Sequence, residues 1–335
     1  MATAGALAFF AAGLPAPWLV GSVVLTGAAS LAGWIRPVPP RVRNAVLILL
    51  GVSLGSAVTP TTVAGVLMWP GSMAALGVAV AAMVAASYWV LRRGFGWDRP
   101  SAFYASPPGA LTATLAIASD SSADMSKVAV VQVFRVFVLV AVVPVLAALG
   151  GAPLGAAPAT PTGSPGTLLA LIAAGAAGGL AAHLFRLPGG LMIGAFAVSA
   201  TLHATGVTAA ALPQAVALPC FVALGAIVGT RFAGLTPRIV LGLLKPSVAS
   251  FLVASALALG FSLGVGWWLD LPIAQVFVAF APGGLEAMML MAYLLGLDPA
   301  YVGAHHVARF VAISFAVPLF ARLAAPEADR PDGSQ

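Results

Sequence analysis

Arg135 and Arg309 each lie inside a long apolar run, and residue 309 follows residue 135 by 174 positions. An arginine at mid-bilayer costs ~2.5 kcal/mol or more to insert, so its presence calls for a reason. Its guanidinium can grip a carboxylate or phosphate bidentately, or it can tie to backbone carbonyls where a helix is broken. Each arginine also follows a Pro-Gly turn. Pro107-Pro108-Gly109 precedes Arg135, and Pro282-Gly283-Gly284 precedes Arg309. A turn at that depth leaves N–H groups unpaired, and the helix restarting after it aims its positive end inward. Pro108, Gly109, Arg135, Pro282, Gly283, Gly284 and Arg309 are therefore the candidate site for a small anion. A paired clamp on substrate and a paired structural pin remain equal alternatives.

Titratable groups lie beside this set. Glu286 falls in the first turn after Pro282-Gly283, where it could bind a proton or Na+, or pair with Arg309 or with the helix end. His306 is three residues before Arg309 on one helix face, and His305 is four before it; either could shuttle protons or be a satisfied histidine. Asp120, Asp124 and Lys127 form a short polar loop, and Asp298 holds the place that matches Asp124; helix capping accounts for both. Asp270 marks a boundary, and His183 and His203 stand alone near helix ends.

Apolar spans must position these groups. The chain has 335 residues, 61% hydrophobic and 7% charged, with a mean hydropathy of +1.05. So few charges cannot cover a soluble body of 33.4 kDa, whose surface would need roughly 25% charged residues. The surface faces lipid, which excludes a cytosolic enzyme, a secreted module and a DNA-reading domain. One cysteine, Cys220, excludes a disulfide framework. Spans are expected at 17–35, 44–60, 71–91, 128–149, 165–185, 189–207, 214–232, 246–269 and 301–321. Residues 2–13 are apolar but short and lack the basic start of a signal peptide. Residues 101–120 and 271–296 are interrupted by the Pro-Gly turns.

The two halves match. At an offset of 173 or 174, Leu14-Pro15 meets Leu187-Pro188, Gly51 and Gly55 meet Gly225 and Gly229, Pro108-Gly109 meets Pro282-Gly283, and Asp124 meets Asp298. Matches of Pro, Gly, Asp and Arg at one offset point to duplication, the usual plan of secondary transporters. The expected fold is an all-α polytopic membrane protein of two inverted repeats. Each has about five transmembrane helices and a Pro-Gly-tipped re-entrant hairpin. Repeat 1 covers 1–150, an extracytoplasmic linker 151–166, repeat 2 167–323, and a disordered cytoplasmic tail 324–335. This topology puts every Lys and Arg except Arg135 and Arg309 on the cytoplasmic side, as the positive-inside rule prefers. Arg36, Arg41 and Arg43 then serve as a topology anchor with anionic-lipid contacts rather than a nucleic-acid patch.

These motifs resemble the AbrB-duplication family of bacterial membrane proteins over about 14–322. The clearest is Ala281-Pro282-Gly283-Gly284-Leu285-Glu286 followed by His306-Val307-Ala308-Arg309. The first repeat departs from it, with Thr112 in place of the glutamate and Gln132 in place of the histidine. The resemblance implies two labels, regulator of gene expression and ammonia monooxygenase. With four histidines and one cysteine, the ligands for a metal monooxygenase are too few. The expected function is secondary transport of a small anionic metabolite, with Glu286 or His306 coupling protons or sodium. The alternative is a membrane sensor acting indirectly on gene expression. No cofactor and no direct nucleic-acid partner are expected, an oligomer is open, and the setting is a bacterial inner membrane with a cytoplasmic C-terminus.

Overall fold

In the computed structural model of the protein, the described residues are 1–58, 69–109, 111–119, 121–149, 163–187 and 189–324. Asp120, Pro188, linker residues 151–162 and tail residues 325–335 lie outside them. Among the described residues all regular structure is helical. Helices α1 (Ala2–Ala11), α2 (Pro17–Leu31) and α3 (Pro40–Gly55) come first, and α4 (Trp69–Trp89) ends in a π-turn at Val90–Gly94. The first interrupted segment is α5 (Arg99–Ala105) and α6 (Leu111–Ala118), followed by α7 (Met125–Leu149). Next come α8 (Pro165–Leu184), α9 (Gly190–Ala204), α10 (Gln214–Gly229), α11 (Pro237–Gly242) and α12 (Leu244–Leu269). The second interrupted segment is α13 (Ile273–Phe280) and α14 (Leu285–Leu294), followed by α15 (Pro299–Ala324).

Proline opens many of these helices, at Pro17, Pro40, Pro100, Pro165 and Pro237, where its missing N–H costs nothing. Side-chain caps add to this at Asp98, Ser164 and Thr236. Burial pushes the Asp98 carboxyl up, but its bonds to Ser101 and the nearby Lys127 charge outweigh burial and hold it below its ordinary value.

Among the described residues six helices are long and apolar enough to cross a membrane: Trp69–Gly94, Met125–Ala147, Pro165–Leu184, Gln214–Phe232, Leu244–Leu269 and Pro299–Val317. The chain is thus a multi-pass membrane protein. Its surface agrees, since Trp267 is 89% exposed and Phe315 77%, while Arg135 and Arg309 are 1% and 2% exposed. Lipid in place of water explains apolar side chains outside and charge inside. Three of the expected spans, 17–35, 44–60 and 189–207, are not among these six, and the helix at the second of them, α3, has 16 residues. Helices α2 and α9 have 15 residues each, about 22 Å, because Gly33 and Gly206 end them with positive φ.

Small residues set the helix crossings, because lipid provides no hydrophobic drive between helices and only close packing holds them. Gly5 of α1 abuts Gly21 of α2, and Gly178 of α8 abuts Gly194 of α9, where an added Cβ would come within 2.7 Å of the Gly178 carbonyl carbon. The short α1 therefore lies against α2 much as the full-length α8 lies against α9. Gly51 and Gly55 of α3 sit on Ala195 and Ser199 of α9, while Gly225 and Gly229 of α10 sit on Ser22 and Thr26 of α2. Each half lends its third helix to the second helix of the other.

Candidate functional site

The chemistry of the site begins with the prolines. A helical proline cannot donate to the carbonyl four residues back. Pro108 leaves the Tyr104 carbonyl without its usual partner, and Pro282 does the same to Val278. In lipid such orphans are costly, so another donor must come. The Gln132 amide Nε2 donates to the Tyr104 carbonyl (3.2 Å) and to the Pro107 carbonyl (3.1 Å). His306 Nε2 lies 3.0 Å from the Val278 carbonyl, which can only accept, so His306 carries its proton there.

The arginines close the same breaks. Arg135 donates to the carbonyls of Ser106 (3.3 Å) and Pro107 (2.9 Å) and to Gln132 Oε1 (2.7 Å). Arg309 donates to the carbonyls of Phe280 (3.4 Å), Ala281 (2.7 Å) and Gly283 (2.9 Å) and to His306 Nδ1 (2.7 Å). All but the Gly283 bond correspond at the sequence offset of 174. A cation at the carbonyl end of α5 or α13 also sits well in the helix dipole. Helices α7 and α15 start at Met125 and Pro299, two to three residues before the expected spans. Each arginine is therefore ten residues in, about 15 Å along the axis and mid-span.

Not all of the guanidinium is used. Nε of both arginines is buried with no acceptor among the described residues. Arg309 reaches beyond its own half, because a Cβ on Gly109 would lie 2.8 Å from its Nη2 and 2.9 Å from its Nε. Gly109, Arg135, Gly283 and Arg309 are thus brought together. Pro108, Pro282 and Gly284 shape the breaks.

Glu286 does not pair with Arg309. Its carboxylate lies 3.9 Å from Arg231 Nη2, with both side chains partly exposed. Sequence reasoning placed Arg231 in a basic loop and missed it. One signal existed: the position matching Arg231 is Ala57, and that matching Glu286 is Thr112, so both charges occur in the second half alone.

A second missed group is a buried chain of hydrogen bonds. His305 Nδ1 faces the Tyr301 carbonyl (2.7 Å), so its Nε2 accepts from Ser72 Oγ (2.7 Å), which in turn bonds the Tyr301 hydroxyl. His305 and His306 thus serve different networks. Asp124 and Asp298 accept the backbone N–H groups of Ser126 (2.9 Å) and Ala300 (2.8 Å), as helix caps do. Burial pushes the Asp298 carboxyl up, against the lowering effect of bonds from Ala300 and Tyr301. No three His, Cys, Asp or Glu side chains among the described residues gather as metal ligands do.

His306 does for its half what Gln132 does for the other: it donates to a carbonyl on one side and accepts from arginine on the other. His306→Gln is therefore expected to leave stability within about 1 kcal/mol of wild type, whereas His306→Leu orphans two partners and costs about 2–4 kcal/mol. Thermal unfolding of the purified variants checks this, and equal losses would refute it.

Fold and site together define a class: an all-helical multi-pass membrane protein with two broken helices, each tied to an arginine of the long helix that follows. The chain belongs to the AbrB family. It matches the family model described as "Transition state regulatory protein AbrB" over residues 2–325. No curated protein matches it.

Proposed function

We propose that the protein is a secondary transporter of a small anionic metabolite, built from two inverted repeats whose broken helices are re-entrant hairpins. The repeats would span 1–150 and 167–323. The observation that carries the reading is the pair of buried arginines. Arg135 and Arg309 are buried without a carboxylate partner among the described residues, and each keeps an Nε–H unpaired. An uncompensated double charge in lipid favours an anion strongly. The matching hydrogen bonds at the two breaks support the repeat, and the placement of Lys and Arg supports the inverted arrangement. Under it the basic loops and the C-terminus lie on the cytoplasmic side of a bacterial inner membrane.

Coupling in this reading falls to Glu286. Its counter-charge Arg231 and its partial exposure allow a proton or Na+ to compete for the carboxylate. His306, with both ring nitrogens engaged, positions Arg309. The reading includes no enzymatic step. A membrane sensor acting on gene expression is the second reading, favoured by the family's description as regulatory.

Uptake into proteoliposomes under an imposed proton or sodium gradient tests the choice, using a panel of labelled carboxylates, phosphate and sulfate. Accumulation of one anion by wild type, with gradient dependence lost in Glu286→Gln, is the expected result. An anion that raises melting temperature but is never accumulated would favour the sensor. Failure of every anion to bind or accumulate would remove the anion site itself.

A further inference from the structure

The π-turn at Val90–Gly94 lies at the end of a spanning helix, beside a cavity of about 490 Å³ lined by Tyr88, Trp89, Arg92, Arg93 and Arg99. Tyr88 and Arg92 are four residues apart, as are Trp89 and Arg93, and all four line the same cleft. The chain then reverses through Gly96, with φ of +67°, and returns Arg99 to the same cleft. Three guanidiniums are thereby gathered.

Among the described residues no carboxylate pairs with them. Asp98, the nearest carboxylate in sequence, is turned to Lys127 (3.4 Å) and to the Ser101 N–H (2.8 Å). The other ion pairs among the described residues join Lys127 to Asp124 and Arg231 to Glu286. Arg92 is fixed by donating to the Trp97 carbonyl (2.9 Å), while Arg93 and Arg99 are exposed. Below the cleft, Ala74, Val78, Ala81, Ala85 and Trp89 form an exposed stripe at helical spacing along α4.

We infer that this cleft binds the phosphate of an anionic phospholipid, with an acyl chain lying along the α4 stripe. Three unpaired arginines select a phosphodiester that carries net negative charge. Tyr88 and Trp89 are residue types that sit at headgroup level. The apolar stripe continuous with the cleft distinguishes a lipid from free phosphate, which has no use for it. The site is separate from the arginine pair at the helix breaks and stands whether or not the protein transports an anion. Arg99 opens α5, so a bound lipid would steady the base of the first interrupted segment.

Native mass spectrometry of the full chain in detergent, titrated with phosphatidylglycerol, phosphatidylcholine or inorganic phosphate, tests the inference. Wild type should retain phosphatidylglycerol over phosphatidylcholine by roughly tenfold or more. Arg93→Gln/Arg99→Gln, which keeps the Arg92 tie, should lose that preference, and Arg186→Gln, exposed and outside the cleft lining, should keep it. Arg93→Gln alone, at an exposed position, provides the same reading if the double variant melts early. Undiminished preference in the cleft variants would overturn the site. Inorganic phosphate binding as well as the lipid would overturn the lipid as occupant.

Discussion

Arg309→Ala is expected to cost about 3–5 kcal/mol, lowering the melting temperature of the purified protein by roughly 10 °C. The loss comes from backbone rather than substrate. Without the guanidinium, the carbonyls of Phe280, Ala281 and Gly283 and His306 Nδ1 lose their donor together. Water would soften that loss in a soluble protein, but a buried mid-span site has little to offer. Lysine should rescue poorly, since one ammonium cannot span the fork that Arg309 places across the break. Arg135→Ala should behave alike, because Arg135 ties Ser106, Pro107 and Gln132. Thermal unfolding and gel filtration in detergent decide the matter. If both alanine variants melt with wild type, the arginines do not hold the breaks.

Gly109→Ala should be the most damaging glycine substitution at the two breaks, by about 2–4 kcal/mol, and should abolish any anion uptake. Two penalties add. Gly109 has φ of +86°, a left-handed conformation that strains alanine. Its new methyl would also stand 2.8 Å from Nη2 of Arg309, which cannot retreat without breaking its carbonyl bonds. The matching Gly283→Ala should be milder. There the nearest atoms, at 2.7–3.1 Å, belong to the flexible Met288 side chain, and φ is not positive. A double-mutant cycle separates the two penalties: in an Arg309→Ala background, Gly109→Ala should retain only its backbone strain. Additive costs would show that Gly109 and Arg309 do not touch in the membrane.

Much of the architecture was legible in order and composition. The low charge identified lipid as the solvent, and the apolar lengths located the six long spans but overstated three shorter helices. Proline and glycine located the two breaks, because a missing N–H acts locally wherever the chain goes. The offset of 174 paired Arg135 with Arg309 and Gln132 with His306 before any contact was known. The role of that second pair was not legible. Glutamine and histidine look unlike one another, and only the Tyr104 and Val278 carbonyls show that both act as a donor on one side and an acceptor on the other.

Partners between distant helices were settled by packing alone. The offset ties Arg309 to its own break, yet its guanidinium also lies against Gly109 in the other half. Glu286 faces Arg231 instead of Arg309, and Ser72 completes a chain with Tyr301 and His305 across 229 residues. A hydrogen bond needs direction and separation within a fraction of an ångström, and those depend on how helices cross. Local sequence governs whether a helix forms, breaks or enters lipid. Which side chain meets which carbonyl follows only once the glycine-lined crossings have brought the helices together.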